Sequence, residues 1–271
     1  MNDAFDPTRA AGLLADCWRQ GCLIDELPMP YRPATLDEGY DVQDQLIAAL
    51  GQPAAGWKLG VGSVLQKRQS GIGRSIAGRI LRSALHRDGD EVTWSGSGAV
   101  TIEFEIAYIL NRDVLPDAQP VPPAELIGET RVAIELVRSR FVDRRAVGWP
   151  SFAADDAACH ALILGEPLDA QALATLSGSL MVSLDGAERA RSLTGDDRTD
   201  PLEALADLVA IARERRMTLP AGSIVSTGTL SKPFDVAAPG GTLEARYDGG
   251  RLGLRLSASR EPRPGTARRP E

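Results

Sequence analysis

Three glutamates carry the clearest chemical signal in the sequence. In Val100-Thr101-Ile102-Glu103-Phe104-Glu105-Ile106, strand alternation puts Ile102, Phe104 and Ile106 on one face. Glu103 and Glu105 share the other face, about 7 Å apart along the chain. Strands are poor in glutamate, and same-face carboxylates repel, so water or a cation must screen them. A solvated strand face is the ordinary reading of such a pair. Arg131-Val132-Ala133-Ile134-Glu135-Leu136-Val137 adds a carboxylate inside an apolar strand, where a charge needs an ion-pair partner or a metal. Arg138 and Arg140 are the nearby candidates for an ordinary salt bridge. The chain has only two histidines, His86 and His160, so any metal site must be built mainly from oxygen. Three carboxylates on two strands then suit a hard divalent cation better than zinc or copper.

Lysine is scarce: Lys58, Lys67 and Lys232 are the whole complement. Lys58 lies between Trp57 and Leu59 in an apolar strand. Burial of its stem would lower its pKa, whereas an edge-strand lysine would simply extend into water. Two glycine patterns carry no nucleotide chemistry. Gly60-Val61-Gly62 lacks the rest of a dinucleotide fingerprint, and Gly71-Ile72-Gly73 followed by Gly78 lacks the lysine and hydroxyl of a P-loop. Ser226-Thr227-Gly228-Thr229 offers hydroxyls and backbone N–H groups at a strand end, where a carboxylate or enolate oxygen could bind. His160 reads as a core residue.

The elements that must position these groups are readable in part. Residues 7–19 predict a helix capped by Asp6, and Thr35-Leu36-Asp37-Glu38 opens a second through a capping box, with Gly51 as its stop. Residues 201–216 predict a third, capped by Asp200 with Pro201 at its first position. Strands are predicted around 56–60, 99–110, 131–137, 179–184 and 223–227. A hairpin is predicted in which Leu243, Ala245 and Tyr247 answer Leu252, Leu254 and Leu256 across Asp248-Gly249-Gly250. Helices come first and strands dominate later, which predicts an α+β fold rather than a βαβ sheet. The division expected is a helical or α+β region over 1–85, a strand-rich domain carrying the three glutamates over 86–258, which the resemblance below implies as the metal-binding catalytic domain, and a disordered tail over 259–271.

The chain has 271 residues with a net charge of −7, which argues against nucleic acid as a partner. No apolar run is long enough for a membrane span, and the acidic start lacks a signal-peptide layout. Cys17, Cys22 and Cys159 form no CxxC pair and fit a reducing cytoplasm.

Taken together, five segments resemble the fumarylacetoacetate hydrolase superfamily, in particular its 2-oxo-4-pentenoate hydratase / 4-oxalocrotonate decarboxylase branch. They are Gly56-Trp57-Lys58-Leu59-Gly60, Glu103-Phe104-Glu105-Ile106-Ala107 and Ile134-Glu135-Leu136-Val137-Arg138-Ser139-Arg140, then Ala154-Asp155-Asp156-Ala157, and finally Leu219 to Leu230. The resemblance implies a mixed β-roll with a small N-terminal α/β region, usually in a homo-oligomer. It also implies Mg2+ or Mn2+ on Glu103, Glu105 and Glu135, with Lys58 and Asp155 as catalytic residues. Thr227, Gly228, Thr229 and Leu230 are implied around a small 2-oxo acid, and Arg138 or Arg74 is a candidate for a distal substrate carboxylate. The activity implied is hydration or decarboxylation of 2-hydroxypenta-2,4-dienoate or 2-oxohex-3-enedioate through a shared dienolate. The alternatives are C–C hydrolysis of an acylpyruvate, or an inactive metal- or ligand-binding member. One departure weakens the hydratase side. Where the branch carries a Pro-Asp-Phe-Gly-like stretch, this chain reads Ser75-Ile76-Ala77-Gly78, so a pocket carboxylate is replaced by Ile76.

Overall fold

Capping chemistry sets the helical layer. In the computed structural model, which describes residues 5–94 and 98–258, α1 (Thr8–Gln20) begins one residue later than predicted, with Pro7 at the cap. Asp6 still accepts from the Thr8 N–H at 2.9 Å. Helix α2 (Leu36–Leu50) opens with the full Thr35/Glu38 capping box and stops at Gly51 in the left-handed region. Both stack apolar faces around Leu14, Leu27, Val42 and Leu46. The amino-terminal residues 1–4 and the tail expected to be disordered from 259 lie outside the described residues.

The rest of the chain runs β1 (Ala54–Gly60), α3 (Val64–Ser70), β2 (Ile76–Leu81), β3 (Leu85–Arg87), β4 (Glu91–Trp94), β5 (Val100–Leu110), β6 (Ile127–Val137) and α4 (Gly148–Ala154). It continues with β7 (Cys159–Pro167), α5 (Ala170–Ser179), β8 (Met181–Leu184), β9 (Ala187–Arg191), α6 (Pro201–Glu214), β10 (Ile224–Thr229), β11 (Phe234–Val236), β12 (Thr242–Tyr247) and β13 (Gly250–Ala258). Asp200 caps α6 through the Leu202 and Glu203 N–H groups, as predicted. The periodicity does not predict α4 or α5. The first is too short to show a period, and the second buries only Leu176.

Two mixed sheets form the α+β body. The larger has strand order β2-β1-β10-β5-β6-β7-β3, with β11 on β5, and the smaller has order β4-β13-β12-β8-β9. Parallel pairs (β1/β10, β3/β7, β4/β13) sit among antiparallel ones. The predicted hairpin is β12/β13, with Leu243 opposite Leu254 and Ala245 opposite Leu252. The sheets meet through one apolar core that includes Phe104, Ile134, Leu243 and Leu252, with the Phe104 and Tyr247 rings 5.9 Å apart. Alternation on β5 therefore does what the sequence implies: Ile102, Phe104 and Ile106 enter the core, which leaves the opposite face to Thr101, Glu103 and Glu105. The expected division at residue 85 falls inside β3. Strands β1 and β2 before it join the same sheet as β5, β6 and β7 after it. Among the described residues no helix is long and apolar enough to cross a membrane.

Candidate metal centre and active site

Four neighbouring strands, β1-β10-β5-β6, carry the chemically reactive side chains. Register aligns Lys58 with Ser226, pairs Thr229 with Glu105, and sets Glu103 directly opposite Glu135. Like charges on directly opposed residues destabilise a sheet, so this arrangement needs compensation. One oxygen from each of Glu103, Glu105 and Glu135 lies within 4.8 Å of the others, the converging trio of potential ligands found among the described residues. Glu105 and Glu135 are fully buried, and Glu103 is half-buried at the floor of a cavity.

Each carboxylate is held differently. Glu105 Oε2 accepts from Ser226 Oγ at 2.5 Å and from the Gly228 N–H at 2.9 Å, which fixes its rotamer. Glu135 Oε1 lies 2.9 Å from Lys58 Nζ. Glu105 Oε1 and Glu135 Oε2 are buried with no hydrogen-bond partner, a costly state for carboxylate oxygens. Burial and the facing Glu135 push Glu103 up to about 7, against the pull of Lys58 and Arg144. Burial, then Glu135 and Glu103, push Glu105 well above the usual carboxylate range. Burial would draw Lys58 down, yet Glu135, Glu103 and Glu105 outweigh it and hold the ammonium charged. With all four groups ionised the cluster carries two excess negative charges. The orphaned oxygens and that charge deficit fit a hard dication bound through oxygen.

A cavity of about 350 Å³ opens over the cluster. Lys58, Glu103, Gly228 and Thr229 line it, so part of the expected site comes together. Gly228, at φ 99°, lets its backbone turn toward Glu105, and a Cβ there would meet Thr199 Oγ1 at 3.0 Å. Thr227, Leu230 and Arg138 are not among the lining residues. Thr227 Oγ1 donates to the Ile106 carbonyl, and Leu230 packs in the core. Arg138 is buried, and Arg74 is paired with Glu214. Ile76 is fully buried in the core.

Asp155, implied by the resemblance as a catalytic residue, is fully buried and is not among the cavity-lining residues. Its carboxylate accepts from Ser139 Oγ at 2.6 Å, from the Arg140 N–H at 3.0 Å and from Arg140 Nε. Arg140 in turn stacks on the Trp18 ring, 4.1 Å from its centroid, which ties α1 to the sheet. Sequence adjacency to the site could not show that the carboxylate faces an arginine rather than the cavity. Because both partners are buried, Asp155→Asn should remove about 3–5 kcal/mol of stability by stranding Arg140. A urea titration checks this, and an unshifted midpoint would deny the pair that role.

The structure also brings in residues that the motifs do not mark. Arg144, Arg145, Trp149 and Phe152 come from the segment after β6, and Phe234 and Asp235 from β11. The one available signal was Arg144-Arg145, an arginine pair just after the strand that carries Glu135 in an acidic chain. Val61, a β-branched lining residue at φ 60°, stores backbone strain beside the site. Behind Lys58, Asp156, Ala157 and Ala158 form a run of left-handed residues at φ 53°, 48° and 60°. They aim Asp156 at the Arg79 N–H, and burial pushes its carboxyl up to about 7. Both histidines lie elsewhere, lining a second cavity.

Comparison with known proteins places this geometry in a family. The sequence model of the fumarylacetoacetate (FAA) hydrolase C-terminal family matches residues 80–256. A 2-keto-4-pentenoate hydratase of Paraburkholderia phymatum is 28% identical over 213 residues, covering 77% of this chain and 79% of that protein. A 4-oxalocrotonate decarboxylase of a Pseudomonas species is 24% identical over 197 residues, covering 72% and 76%. Among solved structures, 4-oxalocrotonate decarboxylase from Pseudomonas putida G7, complexed with magnesium and adipate, superposes with a TM-score of 0.82 at 22% identity. That match covers 94% of this chain and 99% of that one. The matched span takes in all three glutamates and most of both sheets, and the chain belongs to the fumarylacetoacetate hydrolase C-terminal family.

Proposed function

We propose that the chain is a divalent-metal-dependent lyase that hydrates or decarboxylates short unsaturated 2-oxo acids. The observation that carries this reading is the Glu103/Glu105/Glu135/Lys58 cluster, two charges short of neutrality when all four groups are ionised, beneath a cavity of about 350 Å³. The names of the relatives, hydratases of 2-keto-4-pentenoate and a decarboxylase of 4-oxalocrotonate, support the same class.

Glu103, Glu105 and Glu135 would hold Mg2+ or Mn2+. When bound, such a cation supplies a Lewis acid for the carboxylate and keto oxygens of a 2-oxo acid, where charge gathers as the carbon chain reacts. The remaining work falls to the chain. Lys58 Nζ, at the floor of the cavity and charged by its neighbours, is placed to give a proton to the substrate carbon chain and to take it back. Ser226 and Gly228 hold Glu105 in one orientation, so the carboxylate does not swing during turnover. Leu59, Trp149, Phe152 and Phe234 give the hydrocarbon part an apolar wall and limit water. Hydration and decarboxylation share these needs: an electron sink at the keto end and a proton at the chain. Hydrolysis of an acylpyruvate through a histidine-activated water is less well supported, since among the described residues no histidine lines this cavity.

Proton NMR of the protein with Mg2+ and 2-hydroxypenta-2,4-dienoate, and separately with 2-oxohex-3-enedioate, tests the reading. Each run is repeated with EDTA. EDTA-sensitive appearance of the 4-hydroxy-2-oxo acid assigns hydration, and loss of CO₂ assigns decarboxylation. Inertness toward both substrates, with metal bound, would remove the proposed substrate class.

A further inference from the structure

Of the three glutamates Glu103 lines the cavity, and groups that the mechanism above leaves unused line it as well. Thr101 lies two residues before Glu103 on the same face of β5, about 7 Å away along the strand. Its hydroxyl donates to Asp235 Oδ1 at 2.6 Å and accepts from Arg144 Nη2 at 3.1 Å. Thr101 thus anchors the Arg144 guanidinium on the Glu103 side of β5. Arg144 is half-buried and lines the cavity, as does the exposed Arg145 beside it. Among the described residues neither forms an ion pair with a carboxylate, whereas Arg74, Arg79, Arg131 and Arg140 all do. The acidic groups near Arg144 are Asp235, which takes the Thr101 hydroxyl, and Glu103, whose carboxyl feels the Arg144 charge. A half-buried guanidinium with donors to spare is a seat for a carboxylate.

We propose that Arg144 binds the distal carboxylate of the substrate, so that the chain selects short 2-oxo dicarboxylic acids over monoacids of equal length. The inference rests on the metal-dependent reading above, because it needs the 2-oxo end to sit at the glutamates. Five C–C bonds of about 1.5 Å, in zigzag, span roughly 6 Å, on the scale of the roughly 7 Å two-residue rise from Glu103 to Thr101. Neither Arg138, buried off the cavity, nor Arg74, paired with Glu214, takes this part.

Calorimetric titration of the full chain with Mg2+ decides it, using 2-oxoadipate and 2-oxohexanoate as probes. The two differ only in the terminal group, a carboxylate in one and a methyl in the other, and neither has an alkene to react. The wild type should bind the diacid about tenfold to a hundredfold more tightly, the worth of one charge-assisted contact. Arg144→Gln should collapse that ratio toward one, and Arg144→Lys should recover part of it. A full preference surviving in Arg144→Gln overturns the assignment. Equal binding of both probes by the wild type also overturns it, with no need of a folded variant, and leaves the metal-dependent reading standing. Failure of both probes to bind in the presence of Mg2+ removes the two proposals together.

Discussion

Replacing Glu135 by Gln is expected to lower turnover and Mg2+ affinity each by on the order of 10³-fold, because the loss of one charged ligand forfeits several kcal/mol of attraction to a dication. The substitution conserves shape, so the β5/β6 register that places residue 135 opposite Glu103 should persist. What changes is charge. Fully ionised, the four-group cluster goes from two excess negative charges to one, and a bound dication then leaves one positive charge in excess. The effect has a readout that needs no substrate. Saturating Mg2+ should raise the wild-type thermal midpoint by about 5–10 °C, since binding at a hundred times Kd adds about 2.7 kcal/mol. EDTA should reverse it. Glu135→Gln should show almost none of this shift, while its metal-free midpoint stays near the wild type, because removing one of three crowded carboxylates relieves repulsion as it strands Lys58. Retention of the full Mg2+-dependent shift by Glu135→Gln would falsify the ligand assignment.

The shared face of Glu103 and Glu105 was legible because strand geometry sets it. A period of two puts Glu103 and Glu105 on one face, and an apolar run around Glu135 makes its charge anomalous. Caps and turns were legible for a similar reason: the Thr35/Glu38 box, Asp200 and the Gly249 turn act over a few residues. What stayed hidden depends on long-range placement. Nothing in Ala154-Asp155-Asp156-Ala157 tells which carboxylate meets Arg140 and which lies behind Lys58, because left-handed backbone at Asp156, Ala157 and Ala158 decides it without a glycine to announce it. The Arg144 segment comes from a loop whose path over the cavity no periodicity encodes, and Arg144 becomes interpretable only when Thr101 is found beside it. The parallel pairing of β1 with β10, which carries Lys58 to the glutamates, joins residues far apart in sequence.

Lys58→Met separates the two kinds of loss that the glutamate variant combines. Methionine nearly conserves the length of the stem in a site that is 2% exposed, so packing on β1 should survive while the ammonium is removed. Turnover should fall by about 10²–10⁴-fold, the usual scale for removing a positioned proton donor. Metal affinity should move the other way. Without Lys58, three carboxylates face one another with no countercharge, so the metal-free protein loses stability, by about 3–5 kcal/mol on the scale of a broken buried ion pair. A dication then meets a more negative cluster and binds at least as tightly as in the wild type. Glu135→Gln and Lys58→Met should therefore both be nearly inactive yet lie on opposite sides of wild type in a Mg2+ titration. Equal weakening of Mg2+ binding in both variants would make Lys58 a brace for Glu135 and deny it the proton.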